Sequence, residues 1–332
     1  MVTLRRFLQF IIVFTLWLIW SAACFGAETA AKGINSITVI LSGNSDEYQT
    51  VLDSFSDYLA QLGNDNVAIT SLSSREFITH KDDPRDFIVA IGTAASRTAI
   101  TYGGDTPIFS IFIPKQNFLE LPVKPETRIT AIVIDQPLSR YLELSRIILG
   151  QQRKKLGIFY NGQSQIRDLL VKETSARDLE PILEPVDGLI TARHITRIIN
   201  VSDAILLIPG IADIPPQRAK WLLYMAYRDR IPVIAFSETY VKSGALASVS
   251  SGPEDIGRQA AEYIRNLLDR PELLKFHRGN SSQINYPTSF SVHVNRKIAE
   301  QLGITTLPDT EILEELIGGT ARKNGKNSNH AD

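Results

Sequence analysis

The sequence predicts an α/β protein made of two similar lobes, each a parallel sheet flanked by helices, with a ligand cleft between the lobes. Three observations support this fold class. The candidate strands are apolar throughout instead of alternating, they are separated by segments with helical periodicity, and the strand–helix winding starts a second time near residue 129. Buried parallel strands show the first two features. Where α/β winding restarts, α/β proteins hold ligands at the seam.

In the first lobe, four short apolar runs are predicted to be strands. Ser45 can cap the helix that follows the first run, and acidic Asp46 and Glu47 stand in the first turn of that helix, where negative charge is favourable. The predicted strands cover residues 37–41, 67–70, 87–91 and 107–113.

The second round of winding is predicted to begin with a strand at 129–134, a polar turn, a helix and a strand at 156–160. Pro137 suits the first helical position, and Gly150 suits the end of the helix. Further predicted strands cover 204–208, 233–236, 245–249 and 290–294, and further predicted helices lie near 164–177, 191–200, 218–228 and 296–302 and start at Pro253.

Both ends of the chain differ from the body. Arg5 and Arg6 precede an apolar run over 7–20 and then small residues, so residues 1–27 are predicted to be a signal peptide. An uncleaved membrane anchor is the alternative, although the run is short for a span. Cys24 is the one cysteine, which excludes an internal disulfide in the mature chain and makes Cys24 a candidate for lipidation; an inert cysteine is the alternative. Residues 318–332 are polar without apolar periodicity and are predicted to be disordered.

Composition and motifs exclude several classes of function. The formal net charge of −1 argues against a nucleic-acid partner, which would need a basic face. The five histidines are isolated, so no metal site is predicted. The sequence also contains no phosphate-binding Gly-x-x-x-x-Gly-Lys-Ser/Thr loop and no Gly-x-Ser-x-Gly nucleophile motif, and we expect no cofactor and no enzymatic activity.

The candidate ligand-binding residues are polar or small residues in the turns that follow the strands. In the first lobe, free backbone N–H groups at helix N-termini could bind an anionic group. In the second lobe, a carboxylate could pair with an ammonium group, and aromatic rings could cover an apolar group. Alternatively, each of these residues could serve only to cap the helix that follows it, without contacting a ligand. The candidates are Ser42, Asn44, Gly92, Thr93 and Ala94 in the first lobe, and Asp135, Tyr160, Gly210, Ser237, Glu238 and Tyr240 in the second. This combination predicts an amino-acid-like solute.

Several segments of the chain resemble one protein family. The most specific are Gly-Arg-Gln-Ala-Ala from Gly257 and Asn-Arg-Lys-Ile-Ala from Asn295; residues 236–249, 89–95 and 155–161 also fit. They resemble the extracytoplasmic substrate-binding proteins of ABC transporters, whose relatives include binders of aromatic amino acids. The resemblance covers essentially the whole exported chain. Two turns depart from the family pattern: Pro114-Lys115-Gln116 after the fourth strand, and Ser250-Ser251-Gly252 after Val249.

The resemblance implies a type I periplasmic-binding-protein fold, two α/β lobes joined by three crossings. It also implies that the helix from Pro253 returns to the first lobe and that 290–294 lies in the second. The expected domains are then 28–125 with 250–270, and 126–249 with 284–317. The implied function is a periplasmic or extracytoplasmic receptor that closes on a small solute and delivers it to an ABC permease. A sensor or accessory protein of the same fold, serving a membrane kinase or envelope partner, is one alternative. An envelope enzyme that uses Asp135 or Glu238 as a base is another.

Overall fold

Two six-stranded sheets, one in each lobe, organise the chain. The structure is a computed structural model that describes residues 34–63, 67–150, 152–212, 214–270 and 283–327. The predicted signal peptide at 1–27 and Cys24 lie outside the described residues. Within the described ranges, every helix is too short or too polar to cross a membrane.

The first sheet has the strand order β11-β5-β4-β3-β1-β2, and all its described pairings are parallel. Its central strands are buried on both faces, as their continuous apolar sequences predict. The strands are β1 (Ser36–Leu41), β2 (Ala68–Ser73), β3 (Phe87–Ile91), β4 (Ile108–Ile113), β5 (Ile129–Val133) and β11 (Gln283–Asn285).

Helices cover both faces of this sheet and enclose a core on each side. Helix α1 buries Val51, Leu52, Phe55 and Leu59 on one face. The first-lobe helices are α1 (Asp46–Gln61), α2 (Ser74–Thr79), α3 (Thr93–Tyr102), α4 (Lys115–Leu119) and α10 (Pro253–Asp269). Helix α10 packs closely on α1 at Gly257. A Cβ built on this glycine would lie 2.6 Å from the Val51 carbonyl oxygen. The implied return of this helix to the first lobe is therefore confirmed.

The second sheet has the order β12-β10-β9-β8-β6-β7. Its pairings are parallel, except that edge strand β12 runs antiparallel to β10. The strands are β6 (Lys155–Tyr160), β7 (Glu180–Pro185), β8 (Ala204–Leu206), β9 (Val233–Ala235), β10 (Ala247–Ser250) and β12 (Ser291–Val294). The implied placement of 290–294 in this lobe is confirmed.

The second-lobe helices again lie on both faces of their sheet and enclose two clusters of buried residues. They are α5 (Leu138–Leu149), α6 (Ser164–Ser175), α7 (Ala192–Ile199), α8 (Pro216–Arg228), α9 (Glu238–Lys242), α11 (Arg296–Leu302) and α12 (Asp309–Asn327). Helix α12 inserts Ile312 and Leu316 into the core beside α5. This helix continues through Asn327, whereas the sequence predicted disorder from residue 318. The backbone hydrogen bonds of a helix are internal, so a helix can continue along the chain after its last buried apolar residue.

The predicted boundary between the lobes was wrong at one strand. Strand β5, predicted to open the second lobe, pairs with β4 in the first sheet. Because the apolar sequence of β5 fits either sheet, its position in the chain was the basis on which it was predicted to belong to the second lobe. No strand was predicted between 249 and 290, yet Gln283–Asn285 pairs with β5 as strand β11. Strand β7 was missed because Pro181 and Pro185 disfavour a strand; at a sheet edge, proline is tolerated.

Three chain segments cross between the lobes, and hydrogen bonds join them into one cluster. Gln136 on the first crossing donates from Nε2 to Ser251 Oγ on the second, at 2.9 Å. Ser251 Oγ in turn donates to the Ser289 carbonyl on the third. We call this set of residues, completed by Arg140, Pro287 and Phe290, the hinge cluster.

Arg140 is the central cation of the hinge cluster and is only 8% exposed. Its Nη1 donates to Gln136 Oε1 and, at 3.0 Å, to the Pro287 carbonyl. Its guanidinium carbon lies 3.8 Å from the centroid of the Phe290 ring. Burial lowers the pKa of Arg140 to about 10, since desolvation disfavours the charged form. The side chain remains a cation at neutral pH and ties the first crossing to the third.

Candidate ligand-binding cleft

A cavity of about 420 Å³ lies between the facing edges of the two lobes. The first lobe contributes residues from α4, directly after β4, and the second contributes the loops that follow β6, β7 and β8. The cavity is therefore at the carboxyl ends of the parallel strands, where α/β proteins bind ligands. The described lining residues are Gln116, Asn117, Asn161, Val186, Gly188, Gly210, Ile211 and Ala212.

The two first-lobe lining residues have their amide nitrogens engaged within the lobe. Gln116 donates from Nε2 to Glu120 Oε1 at 3.0 Å. Asn117 donates from Nδ2 to Thr93 Oγ1 at 3.1 Å. Each carboxamide has a second N–H and a carbonyl oxygen, Gln116 Oε1 or Asn117 Oδ1, so each can still donate and accept.

The second-lobe wall approaches the first closely at Gly210. This residue has φ of +72°, and a Cβ built on it would lie 3.1 Å from Gln116 Oε1. Glycine thus allows both the left-handed backbone and the close approach of the lobes. On the same wall, Asn161 Oδ1 accepts from the Gln163 backbone N–H at 3.3 Å, which leaves the Asn161 Nδ2 group as a donor.

The predicted first-lobe residues form a compact, internally bonded turn. Ser42 Oγ accepts from the Ala95 backbone N–H at 2.9 Å, so one N–H at the start of α3 already has a partner. Gly92 has φ of +87°, and an added Cβ would lie 2.6 Å from Ser42 Oγ, which makes glycine necessary there. Asn44 and Ala94 are exposed. Thr93 orients the lining residue Asn117, and the other predicted residues of this lobe do not line the described cavity.

Asp135 was predicted to offer a carboxylate from the second lobe, but it follows β5 of the first sheet. Its Oδ2 accepts from the Lys115 backbone N–H at 2.6 Å, and the residue is 8% exposed. Burial raises the pKa of Asp135 and the hydrogen bond from Lys115 partly opposes that rise. Tyr160, predicted to be an apolar wall, is buried in the second-lobe core. Neither residue lines the described cavity.

The remaining second-lobe candidates cluster at α9. Glu238 Oε1 lies 2.9 Å from Lys242 Nζ, and this hydrogen bond lowers the pKa of Glu238. The Tyr240 ring packs on Phe236, with centroids 4.8 Å apart, and Ser237 precedes the helix. Of all the predicted binding residues, Gly210 is the one that lines the described cavity.

Sequence reasoning did not include Gln116, Asn117, Gly188 or Val186 among the candidates. A signal existed for Gln116, because the turn after the fourth strand was recognised as a departure from the family pattern. The described residues contain no group of three or more His, Cys, Asp or Glu side chains able to hold a metal ion.

The raised pKa of Asp135 leads to a pH-dependent prediction. A carboxyl whose folded-state pKa is above its unfolded value stabilises the fold at pH below the unfolded pKa and loses that contribution as pH rises through the folded pKa. Asp135→Asn keeps an acceptor for Lys115 N–H and does not titrate. We therefore expect the variant to gain stability relative to the natural protein between pH 3 and pH 7, measured by urea unfolding across that range. A constant difference would contradict the assigned cause.

Two lobes, three crossings and a cleft at the strand ends define the type I periplasmic-binding-protein class of fold. Solved structures confirm this class. A ligand-free, open structure of a substrate binding protein with adhesive properties from Clostridium difficile superposes with a TM-score of 0.62 at 18% identity, covering 83% of this chain and 97% of that chain. A conserved domain protein from Vibrio cholerae gives 0.52 at 18%, covering 85% and 98%. An ABC domain in complex with L-Trp from Streptococcus pneumonia gives 0.50 at 20%, covering 84% and 98%.

The family comparison supports the same conclusion for part of the chain. Residues 195–315 match the model of the family described as ABC transporter substrate binding protein. This range contains the Gly257 and Asn295 segments that carried the resemblance in the sequence, and the predicted resemblance is thereby confirmed. No curated protein matches the chain significantly.

Proposed function

We propose that this protein is the extracytoplasmic solute-binding component of an ABC importer, and that it closes on a small solute and delivers it to a membrane permease. The observation that carries the proposal is the cavity whose walls come from both lobes, in a chain whose three crossings are joined by the hinge cluster. A solute that bridges both walls favours the closed arrangement, because it contacts both lobes only there. The family match at 195–315 supports the transport context.

Two narrower features belong to this proposal. We propose export by the predicted signal at 1–27, with Cys24 as the candidate for lipidation. The predicted amino-acid-like solute has the L-Trp complex of the Streptococcus pneumonia protein in its favour. The residues predicted to hold its charged groups are engaged elsewhere, however: Asp135 with Lys115, and Glu238 with Lys242. These contacts also give no support to a carboxylate-base enzyme.

A thermal-shift screen of the exported chain against small metabolites tests the proposal. A solute that binds only the folded state stabilises it by about 2.7 kcal/mol at a hundred times Kd, so the melting temperature should rise with concentration. Solute addition should also reduce the radius of gyration in small-angle scattering, as the lobes close. Failure of every solute class to shift melting, together with no permease recovered by crosslinking, would favour the sensor or accessory alternative.

A further inference from the structure

Resting on the proposed function, we infer that the cleft recognises an uncharged, hydroxyl-rich solute of sugar or nucleoside type, read by side-chain carboxamides. The hydroxyl groups of the solute exchange hydrogen bonds with carboxamides of both lobes.

The first-lobe wall carries a pair of carboxamides. Gln116 and Asn117 each use the amide nitrogen for one bond within the lobe, to Glu120 and Thr93 respectively. Each carboxamide has a second N–H and a carbonyl oxygen, so it can both donate to and accept from a solute. A hydroxyl group matches such a wall, because it also donates and accepts.

The second-lobe wall adds a third carboxamide. Asn161 Oδ1 accepts from the Gln163 backbone N–H, and the amino group of Asn161 provides donors for a solute. Val186, Ile211 and Ala212 add an apolar surface to the same wall. A ring with one C–H face and several hydroxyls satisfies both requirements.

Charge separates this solute class from amino acids and other ions. No charged side chain is among the described residues that line the cavity. Burying a carboxylate or an ammonium group without a partner is costly, whereas a hydroxyl needs only a hydrogen bond. Two acidic residues adjoin lining residues and increase the cost of binding an anion: Glu120 accepts from Gln116, and Asp187 lies in sequence between Val186 and Gly188. The volume of about 420 Å³ is in the usual range for small-molecule pockets.

The test is isothermal titration calorimetry of the exported chain with three matched solute sets: monosaccharides, cyclic polyols and nucleosides; zwitterionic amino acids including L-Trp; and dicarboxylates. We expect a member of the uncharged set to bind with 1:1 stoichiometry. Asn117→Leu and Asn161→Ala, which each remove a lining carboxamide, should each weaken the binding of that solute about tenfold or more. Asn200→Ala is the control. Asn200 is an exposed carboxamide at the carboxyl end of α7 and does not line the described cavity, so this substitution should leave the affinity unchanged.

The outcomes separate this inference from the proposed function. Binding of amino acids or dicarboxylates, with no binding of uncharged solutes, would overturn the inference and leave the solute-binding function intact. Binding of an uncharged solute that both carboxamide variants leave unchanged would also overturn it. If no set binds, and the melting temperature of the exported chain is likewise unaffected, both the inference and the proposed function fail.

Discussion

Replacing Gly257 with alanine should lower the free energy of unfolding by about 2–3 kcal/mol, although alanine normally stabilises a helix relative to glycine. The reason is the contact between α10 and α1. The new Cβ would lie 2.6 Å from the Val51 carbonyl oxygen and 3.0 Å from the Phe55 backbone nitrogen. Backbone atoms inside a helix cannot move aside as a flexible side chain can, so the two helices must separate. Urea unfolding monitored by circular dichroism measures the loss.

Gly318 provides the matched control within the same chain. It also lies inside a helix, and an added Cβ would meet no other atom within 4 Å. Gly318→Ala should therefore stabilise the protein by about 0.5–1 kcal/mol through helix propensity. Opposite signs at the two glycines are the expected result. A stabilising Gly257→Ala would show that α10 and α1 are farther apart than described.

Arg140→Ala should cost about 2–4 kcal/mol and also weaken solute binding. The substitution leaves the Pro287 carbonyl and Gln136 Oε1 without their donor and removes the contact with the Phe290 ring. The substitution also removes a buried charge, and this offsets part of the loss. We therefore expect a smaller loss of stability than for a broken buried ion pair. Arg140→Lys should not restore stability, since a point cation cannot replace a planar guanidinium on an aromatic ring. Urea unfolding and solute titration provide the two measurements.

Arg146 is the control for this substitution. It lies on the same helix, its side chain is 36% exposed, and it pairs with Glu143 at 2.8 Å and Glu315 at 3.7 Å. Because exposed ion pairs contribute little, Arg146→Ala should cost less than about 1 kcal/mol and leave solute binding unchanged. Equal losses at the two arginines would mean that the hinge cluster has no special role.

Strands were predictable where the sequence contains an uninterrupted apolar run. The predicted strand at 87–91 has the same bounds as β3, because Phe87–Ile91 contains no polar residue and is fully buried. Strand β11 could not be predicted, since Gln283-Ile284-Asn285 has little apolar character and exists by pairing with β5. The assignment of β5 to a lobe also depended on pairing, which is a long-range property that local periodicity does not contain.

The candidate site was less predictable than the fold for a related reason. Reasoning from strand ends pointed to the edge where the described cavity lies, and it included Gly210, which lines that cavity. It could not reveal that Ser42 is satisfied by the Ala95 N–H or Asp135 by the Lys115 N–H, because those partners are 53 and 20 residues away. Polar residues at strand ends serve either the turn or the ligand, and the three-dimensional partners decide which.

The return of α10 and β11 to the first sheet has a consequence for the order in which the chain can fold. The first core includes Ile256, Ala260 and Ile264, and its edge strand ends at Asn285. Five of the six strands of the second sheet, β6 to β10, are therefore synthesised before the first lobe can be completed. A nascent chain that stops short of α10 must expose to water the face of α1 that packs on α10, and premature collapse of the amino-terminal half would be unproductive.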